Sequence, residues 1–262
     1  MVRAGRGCII ALAVALSSVL VVGCAETRLP VDAAIGDPPG VYARLYKMPL
    51  IETPPVASAP VGPLIVLYTG DNGWAVFDRR FADRMADRGS PVAGVSSLVY
   101  YFHPRTPRGA ALDLSAIIAH YGRLWGRRDV VLAGYSYGGD TLPLIAQALP
   151  PAALSQVRLL VLISPSAWGD LTFRGASWFD LWTAAARPLA PALKKLKGVP
   201  ILCIHADHDP RQACDRLSIP GMARAEVLGG HHYVGHEAEV ADLILKALSA
   251  LPPPRGDGAP AQ

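Results

Sequence analysis

The sequence predicts an α/β fold: a mostly parallel, doubly wound sheet with helices on both faces. Three observations predict it. Short, continuously apolar runs recur at Leu64 to Tyr68, Val130 to Ala133 and Val157 to Ile163; such runs suit strands buried on both faces. Segments with helical spacing separate them, and strand–helix alternation is the pattern of a parallel sheet. Finally, Gly134-Tyr135-Ser136-Tyr137-Gly138 stands between an apolar run and a helix-like stretch, Leu142 to Leu149. Strand, G-x-S-x-G, helix is the context of a tight turn that holds a serine above a sheet. The two glycines fit a backbone with no room for a Cβ on either side of the serine.

At 262 residues, 51% hydrophobic and 18% charged, the chain can bury one full-sized core, and no internal linker divides it. A formal charge of +4 is too small for a nucleic-acid footprint, and no basic stripe interleaves with aromatics. Residues 1–23 read as an export signal. Arg3 and Arg6 precede an apolar stretch, Cys8 to Val22, that ends in Val21-Val22-Gly23-Cys24. That ending resembles a lipobox, in which Cys24 is acylated and becomes the new N-terminus. An ordinary cleaved signal and an uncleaved anchor are the alternatives, although the run is short for a spanning helix. All three put the folded part outside the cytoplasm, and the lipoprotein reading tethers it to a membrane. Cys203 and Cys214 remain as an even pair in an oxidising compartment, which allows a disulfide; two unrelated buried thiols are the alternative.

Residues 24–62 read as a tether, with Val41 to Ile51 as an edge strand or two; Pro49 argues for an edge. Residues 63–251 form the folded domain. Leu64 to Tyr68 is its first buried strand, followed by the loop Thr69-Gly70-Asp71-Asn72-Gly73-Trp74. Phe77, Phe81 and Met85 have helical spacing, and Pro91 to Val95 is the next strand. Tyr100 to Pro104 is an aromatic loop, and Asp113 to Trp125 is a helix closed by Gly126. Val157 to Ile163 follows the serine turn and its helix. Ser164 to Gly198 carries Trp168, Phe173, Trp178, Phe179 and Trp182. It reads either as a lid over the carboxyl edge of the sheet or as aromatics packing a helix on it. Ile201 to His205 and Arg224 to Leu228 are the last strands, Glu237 to Leu251 is an amphipathic helix, and residues 252–262 are a frayed tail.

Serine is a weak nucleophile at neutral pH and needs a base, which in turn needs an acid to fix its tautomer. The order Ser, Asp, His is that of an α/β-hydrolase fold, and each residue type follows an expected strand. Ser136 is the nucleophile candidate. Asp209 is the acid candidate, with Asp207 as alternate, and His231 is the base candidate, with His232 as alternate. The backbone N–H groups of Tyr137 and Asp71 are the oxyanion candidates, with Asn72 next. His205, Asp207, His208 and Asp209 match no familiar metal-ligand spacing, so no metal or cofactor is expected.

With those residues in place, the chain resembles the VirJ/AcvB family of bacterial virulence-associated periplasmic proteins. The resemblance runs from about Pro63 to Leu245. It is carried by Tyr68 to Trp74, Ser97 to Phe102, Arg105-Thr106-Pro107, Gly134 to Asp140 with Leu142-Pro143, the Cys203…Cys214 spacing, and Gly229-Gly230-His231-His232-Tyr233. Tyr137, Gly139 and Ser96 stand where the family pattern leads one to expect Phe, Ala and an acidic residue. The resemblance implies a periplasmic serine hydrolase acting on the aminoacyl ester of lysyl-phosphatidylglycerol, a membrane lipid. It also links the family to type IV secretion, so secretion-system components are the implied partners, and a non-catalytic adaptor on the same scaffold is the alternative. A cationic lysyl group wants carboxylates, which makes Asp71 and Asp140 candidates for substrate binding beside Asn72.

Overall fold

The computed structural model describes residues 40–173 and 184–253. The expected export signal, Cys24, Trp178, Phe179 and Trp182 lie outside the described residues. A seven-stranded sheet forms the centre, in the order β1-β3-β2-β4-β5-β8-β9. Its strands are β1 (Leu50–Thr53), β2 (Leu64–Tyr68), β3 (Val92–Val95), β4 (Val130–Tyr135), β5 (Val157–Ile163), β8 (Ile201–Ala206) and β9 (Ala223–Val227). All neighbouring strands are parallel except β1, which runs antiparallel to β3 at the edge.

Each inner strand divides its side chains between two cores. In β2, Leu64, Val66 and Tyr68 face one side while Ile65 and Leu67 face the other. The alternation is hidden in the sequence because both faces are covered. One face is packed by α4 (Pro107–Leu124), α5 (Tyr137–Ala146) and α7 (Leu189–Lys195), through Leu114, Ile117, Leu142, Ile145 and Leu193. The other is packed by α2 (Val76–Asp87) and α8 (Glu237–Ser249), through Phe77, Phe81, Met85, Val240 and Ile244. Helix α4 starts six residues before the stretch read from sequence. Pro107 occupies its first turn, and the Thr106 side chain accepts from Gly109 N–H at 3.1 Å, so a good cap extends it.

Two stretches correct the sequence reading. Val41–Leu45 is a short helix, α1, rather than a strand. Leu45 is buried in the core and Arg44 pairs with Asp113 of α4 at 2.9 Å, so this stretch docks on a helix and only Leu50–Thr53, after Pro49, joins the sheet. The aromatic loop is partly helical: α3 (Ser97–Tyr100) precedes it. Beyond β5 the described part of the insertion forms a two-stranded ribbon, β6 (Trp168–Gly169) with β7 (Arg187–Pro188). Remaining short pieces are α6 (Pro151–Leu154) and a 3₁₀ turn, Gly230–His232.

Cys203 and Cys214 form a disulfide, with Cα atoms 5.6 Å apart. Both cysteines are fully buried. The bond ties the middle of β8 to the loop that follows it.

The turn after β4 is the tightest point of the fold. A Cβ at Gly138 would sit 2.1 Å from the Tyr68 carbonyl oxygen, and one at Gly134 would sit 2.4 Å from that of Gly138. Gly138→Ala should therefore cost about 3 kcal/mol, because backbone rather than a flexible side chain must move. Urea unfolding reads this directly, and a loss below about 0.5 kcal/mol, the range of an ordinary surface change, would contradict it. Replacing both Cys203 and Cys214 by Ala should cost about 3 kcal/mol as well, from the freed entropy of a short loop in the unfolded chain.

Candidate active site

The carboxyl ends of β2, β4, β8 and β9 all open on one edge of the sheet, where α/β proteins place their ligands. Ser136 follows β4 at φ 50° and ψ −117°, a conformation a non-glycine residue avoids unless its surroundings impose it. They do so here. Ser136 N–H donates to the Ile163 carbonyl at 2.8 Å, and the Ser136 carbonyl accepts from Asp140 N–H at 3.0 Å at the start of α5.

Ser136 Oγ lies 2.9 Å from His231 Nε2. On the other side of the ring, His231 Nδ1 lies 2.6 Å from Asp209 Oδ2. With the ring proton on Nδ1 donated to the carboxylate, Nε2 is left to accept from the serine hydroxyl. Asp209 is buried, and its Oδ1 accepts from Arg211 N–H at 3.1 Å. Burial alone would raise the Asp209 carboxyl. The His231 hydrogen bond and charge, helped by Arg211 N–H and the Ser164 hydroxyl, outweigh it and hold the group below the usual carboxylate range. Burial lowers the His231 imidazole below its ordinary 6.5, against the opposing pull of Asp209. The resting pair is therefore a neutral imidazole beside a carboxylate.

The structure separates the alternates that the sequence left open. Asp207 does not reach His231; its Oδ1 accepts from Gly230 N–H at 3.0 Å and so holds the histidine loop. The His232 ring stands at 80° to that of His231 and meets the Tyr135 hydroxyl at 3.1 Å instead of the serine. Tyr135 also donates to the His231 carbonyl at 3.0 Å. His208 points to solvent 3.8 Å from Asp207, and His205 lies 3.7 Å from Glu226. Among the described residues no group of three His, Cys, Asp or Glu side chains is gathered as a metal site.

A cavity of about 600 Å³ opens beside Ser136 and His231. Asp71, Asn72, Asp78, Arg80, Arg211 and Glu237 are among its polar walls. The Gly70 to Gly73 loop lies against the serine turn: a Cβ at Gly70 would meet Ser136 Cβ at 3.6 Å. Neither Tyr137 N–H nor Asp71 N–H donates to a protein acceptor among the described residues, as befits groups kept open for an oxyanion. Glu237 pairs with Arg80 at 3.0 Å. Asp78 is fully buried, accepts from Ala75 N–H at 2.9 Å through Oδ2, and is pushed up to about 7 by its burial.

Asp140 corrects the substrate-binding expectation. It is buried beneath the insertion, where Oδ1 accepts from Ser166 N–H at 2.6 Å, and it is not a wall of this cavity. Its place in the first turn of α5 turns the carboxylate toward the chain leaving β5. Tyr137, where Phe was expected, uses its extra hydroxyl to donate to the Asp170 carbonyl at 2.7 Å. Ser96 is buried under the Gly73 turn, where a Cβ on Gly73 would come within 2.9 Å of its Oγ. Ser164 and Arg211 had no motif to announce them, and Tyr135 and Tyr233 lie within motifs that assign them no role. Ser164, at φ 46°, shares a 2.8 Å hydrogen bond with the buried Tyr233 hydroxyl, directly behind the Asp209–His231 pair.

Comparison with known proteins bears on the fold and the family. Est1E from Butyrivibrio proteoclasticus superposes with a TM-score of 0.57 at 15% identity, covering 77% of this chain and 94% of that one. TT1662 from Thermus thermophilus gives 0.52 at 19%, covering 78% and 94%. Proline iminopeptidase from Mycobacterium smegmatis gives 0.54 at 14%, covering 76% and 93%. At these identities the likeness establishes the fold, an α/β-hydrolase fold. No curated protein matches the chain. The family described as "Bacterial virulence protein (VirJ)" matches residues 63–251, which span the whole sheet but its first strand, and the chain belongs to that family.

Proposed function

We propose that this protein is an exported, membrane-tethered serine hydrolase of carboxylic esters, and that its substrate is the aminoacyl ester of lysyl-phosphatidylglycerol. The observation that carries the reaction class is the unbroken chain Ser136 Oγ, His231, Asp209, at 2.9 and 2.6 Å, on the wall of an open cavity. His231 Nε2 takes the hydroxyl proton as Ser136 Oγ attacks the lysyl carbonyl carbon. Asp209 keeps the ring oriented and stabilises the imidazolium that forms. Tyr137 N–H and Asp71 N–H receive the charge that develops on the carbonyl oxygen. As the tetrahedral species collapses, the imidazolium gives its proton to the departing glycerol oxygen and releases phosphatidylglycerol. Water, deprotonated by His231, then cleaves the lysyl-serine ester and frees lysine.

The polar walls of the cavity support this substrate. Arg80 and Glu237 neutralise each other. That leaves the carboxylate of Asp71 for a cationic aminoacyl group and the Arg211 guanidinium for a phosphate. An aminoacyl phospholipid carries both charges on one headgroup. No helix among the described residues is long and apolar enough to cross a membrane; the tether is the acylated Cys24.

Two outcomes test this reading. Ser136→Ala should lower lysine release from lysyl-phosphatidylglycerol vesicles by at least about a thousandfold with the fold intact, and abolish labelling by a fluorophosphonate. An unaltered rate would remove the mechanism, and absence of labelling in the wild type would favour an adaptor. Second, only neutral His231 accepts the serine proton, and its folded pKa lies below 6.5. The rate constant kcat/KM should hold as pH falls to 6.5 and decline only as pH passes through that lower value. Asp209→Asn removes the group that raises the imidazole, so its acid limb should move lower still, on a much reduced rate. An acid limb above 6.5 in the wild type contradicts the assignment.

A further inference from the structure

Six large apolar side chains are exposed on one edge of the molecule. Among the described residues ten such side chains face solvent, and Val76, Val99, Phe102, Trp168, Leu228 and Val234 are six of them. All six stand on segments that leave the carboxyl ends of β2, β3, β5 and β9. Single exposed apolar residues are ordinary, but their concentration on the edge that carries the site is not. Val76 and Val234 are walls of the cavity beside Ser136, and the others stand on the same edge of the sheet; together the six make an apolar rim on that edge. Phe102 and Val234 are the most prominent, at 71% and 70% exposed.

The rim is braced. Arg105 N–H donates to the Leu171 carbonyl at 2.9 Å, and Phe173 N–H to the Tyr101 carbonyl at 2.8 Å, so the loops bearing Phe102 and Trp168 are joined. Its apolar tips are spread over four separate segments. A partner helix needs a continuous groove, whereas a fluid headgroup layer admits separate tips, aromatic ones above all. The charges on the same edge complete the pattern. Arg187 and Arg211 are exposed and Arg105 is half-buried against the Tyr100 ring, while Asp170 and Asp209 are buried, Asp71 and Asp207 half-buried and Asp215 exposed. None of the three arginines has a carboxylate partner within 4 Å among the described residues. An excess of exposed arginine over exposed carboxylate suits an anionic surface.

We propose that this rim docks on an anionic lipid bilayer, with the apolar tips in the headgroup layer and the cavity mouth facing the membrane. The proposal rests on the lipid-substrate reading above and gives it a route: the substrate enters Ser136's cavity from the bilayer without crossing water.

The test uses the full chain with Cys8→Ser and Cys24→Ser, carrying an environment-sensitive nitrobenzoxadiazole label at Phe102→Cys, Leu228→Cys or, as a control, Leu124→Cys. Leu124 is exposed at the far end of α4, on the amino edge of the sheet. On phosphatidylglycerol vesicles, spin-labelled lipid should quench the probe at Phe102 and Leu228 and not at Leu124. Equal quenching at all three positions, or quenching at none, overturns the proposal. In a second arm, Phe102→Ser with Leu228→Ser should lower hydrolysis of vesicle-borne lysyl-phosphatidylglycerol by about tenfold, through lost apolar insertion, and leave hydrolysis of a water-soluble acetate ester unchanged. An equal fall on both esters overturns it. Rim quenching without lysine release leaves the docking standing and removes the substrate; lysine release without rim quenching does the reverse.

Discussion

The fold turns on a backbone crossing. At the turn after β4, the end of β2, the serine and the start of α5 approach more closely than any side chain at Gly138 would permit. That approach fixes the positive φ of Ser136 and aims its hydroxyl out of the sheet. It also brings the Gly70 to Gly73 loop against the serine, so the Ser136 hydroxyl and the N–H groups of Tyr137 and Asp71 are positioned by one constraint. The strain at Ser136 persists because hydrogen bonds to Ile163 and Asp140 hold both of its peptide groups.

The electrostatics of the site are a contest that burial does not win outright. Burial favours neutral forms of both Asp209 and His231. The carboxylate nevertheless stays charged, because His231, Arg211 N–H and Ser164 all favour its anion. The imidazole stays neutral, because removing it from water outweighs Asp209's attraction. The same environment thus sets an acceptor ready on one side of the ring and a fixed anion on the other, which is the division of labour that acyl transfer needs.

Much of this was legible in the chain itself. Leu64 to Tyr68 and Val157 to Ile163 have the bounds read from sequence, because a strand covered on both faces leaves a continuous apolar run between turn residues. Ser136, Asp209 and His231 were legible as residue types after strands. Other features were not, for physical reasons. Val41 to Ile51 shows apolar content without a period long enough to tell helix from strand, and docking on α4 decided it. Adjacent histidines are indistinguishable until a 3₁₀ turn sends their rings apart. Asp140 has the right charge, but its direction depends on a partner, Ser166 N–H, that arrives from another strand. Tyr135 and Tyr233 brace the histidine loop through hydroxyls whose acceptors lie about seventy to a hundred residues away or on a neighbouring strand, which no local pattern encodes.

The loop that bears His231 hangs from β9, the outermost strand, whose residues are mostly exposed and which has a neighbour on one side only. Edge strands are where native proteins open first. This loop, however, is moored to inner strands at several points: Gly230 to Asp207 after β8, the His231 carbonyl to Tyr135 of β4, and the buried Tyr233 hydroxyl to Ser164 and to Ile204 of β8. Fraying of the edge is thereby uncoupled from the imidazole. Heat or denaturant must loosen the interior of the sheet before the ring leaves the serine, so the working state is lost in the same cooperative event that melts the core rather than ahead of it.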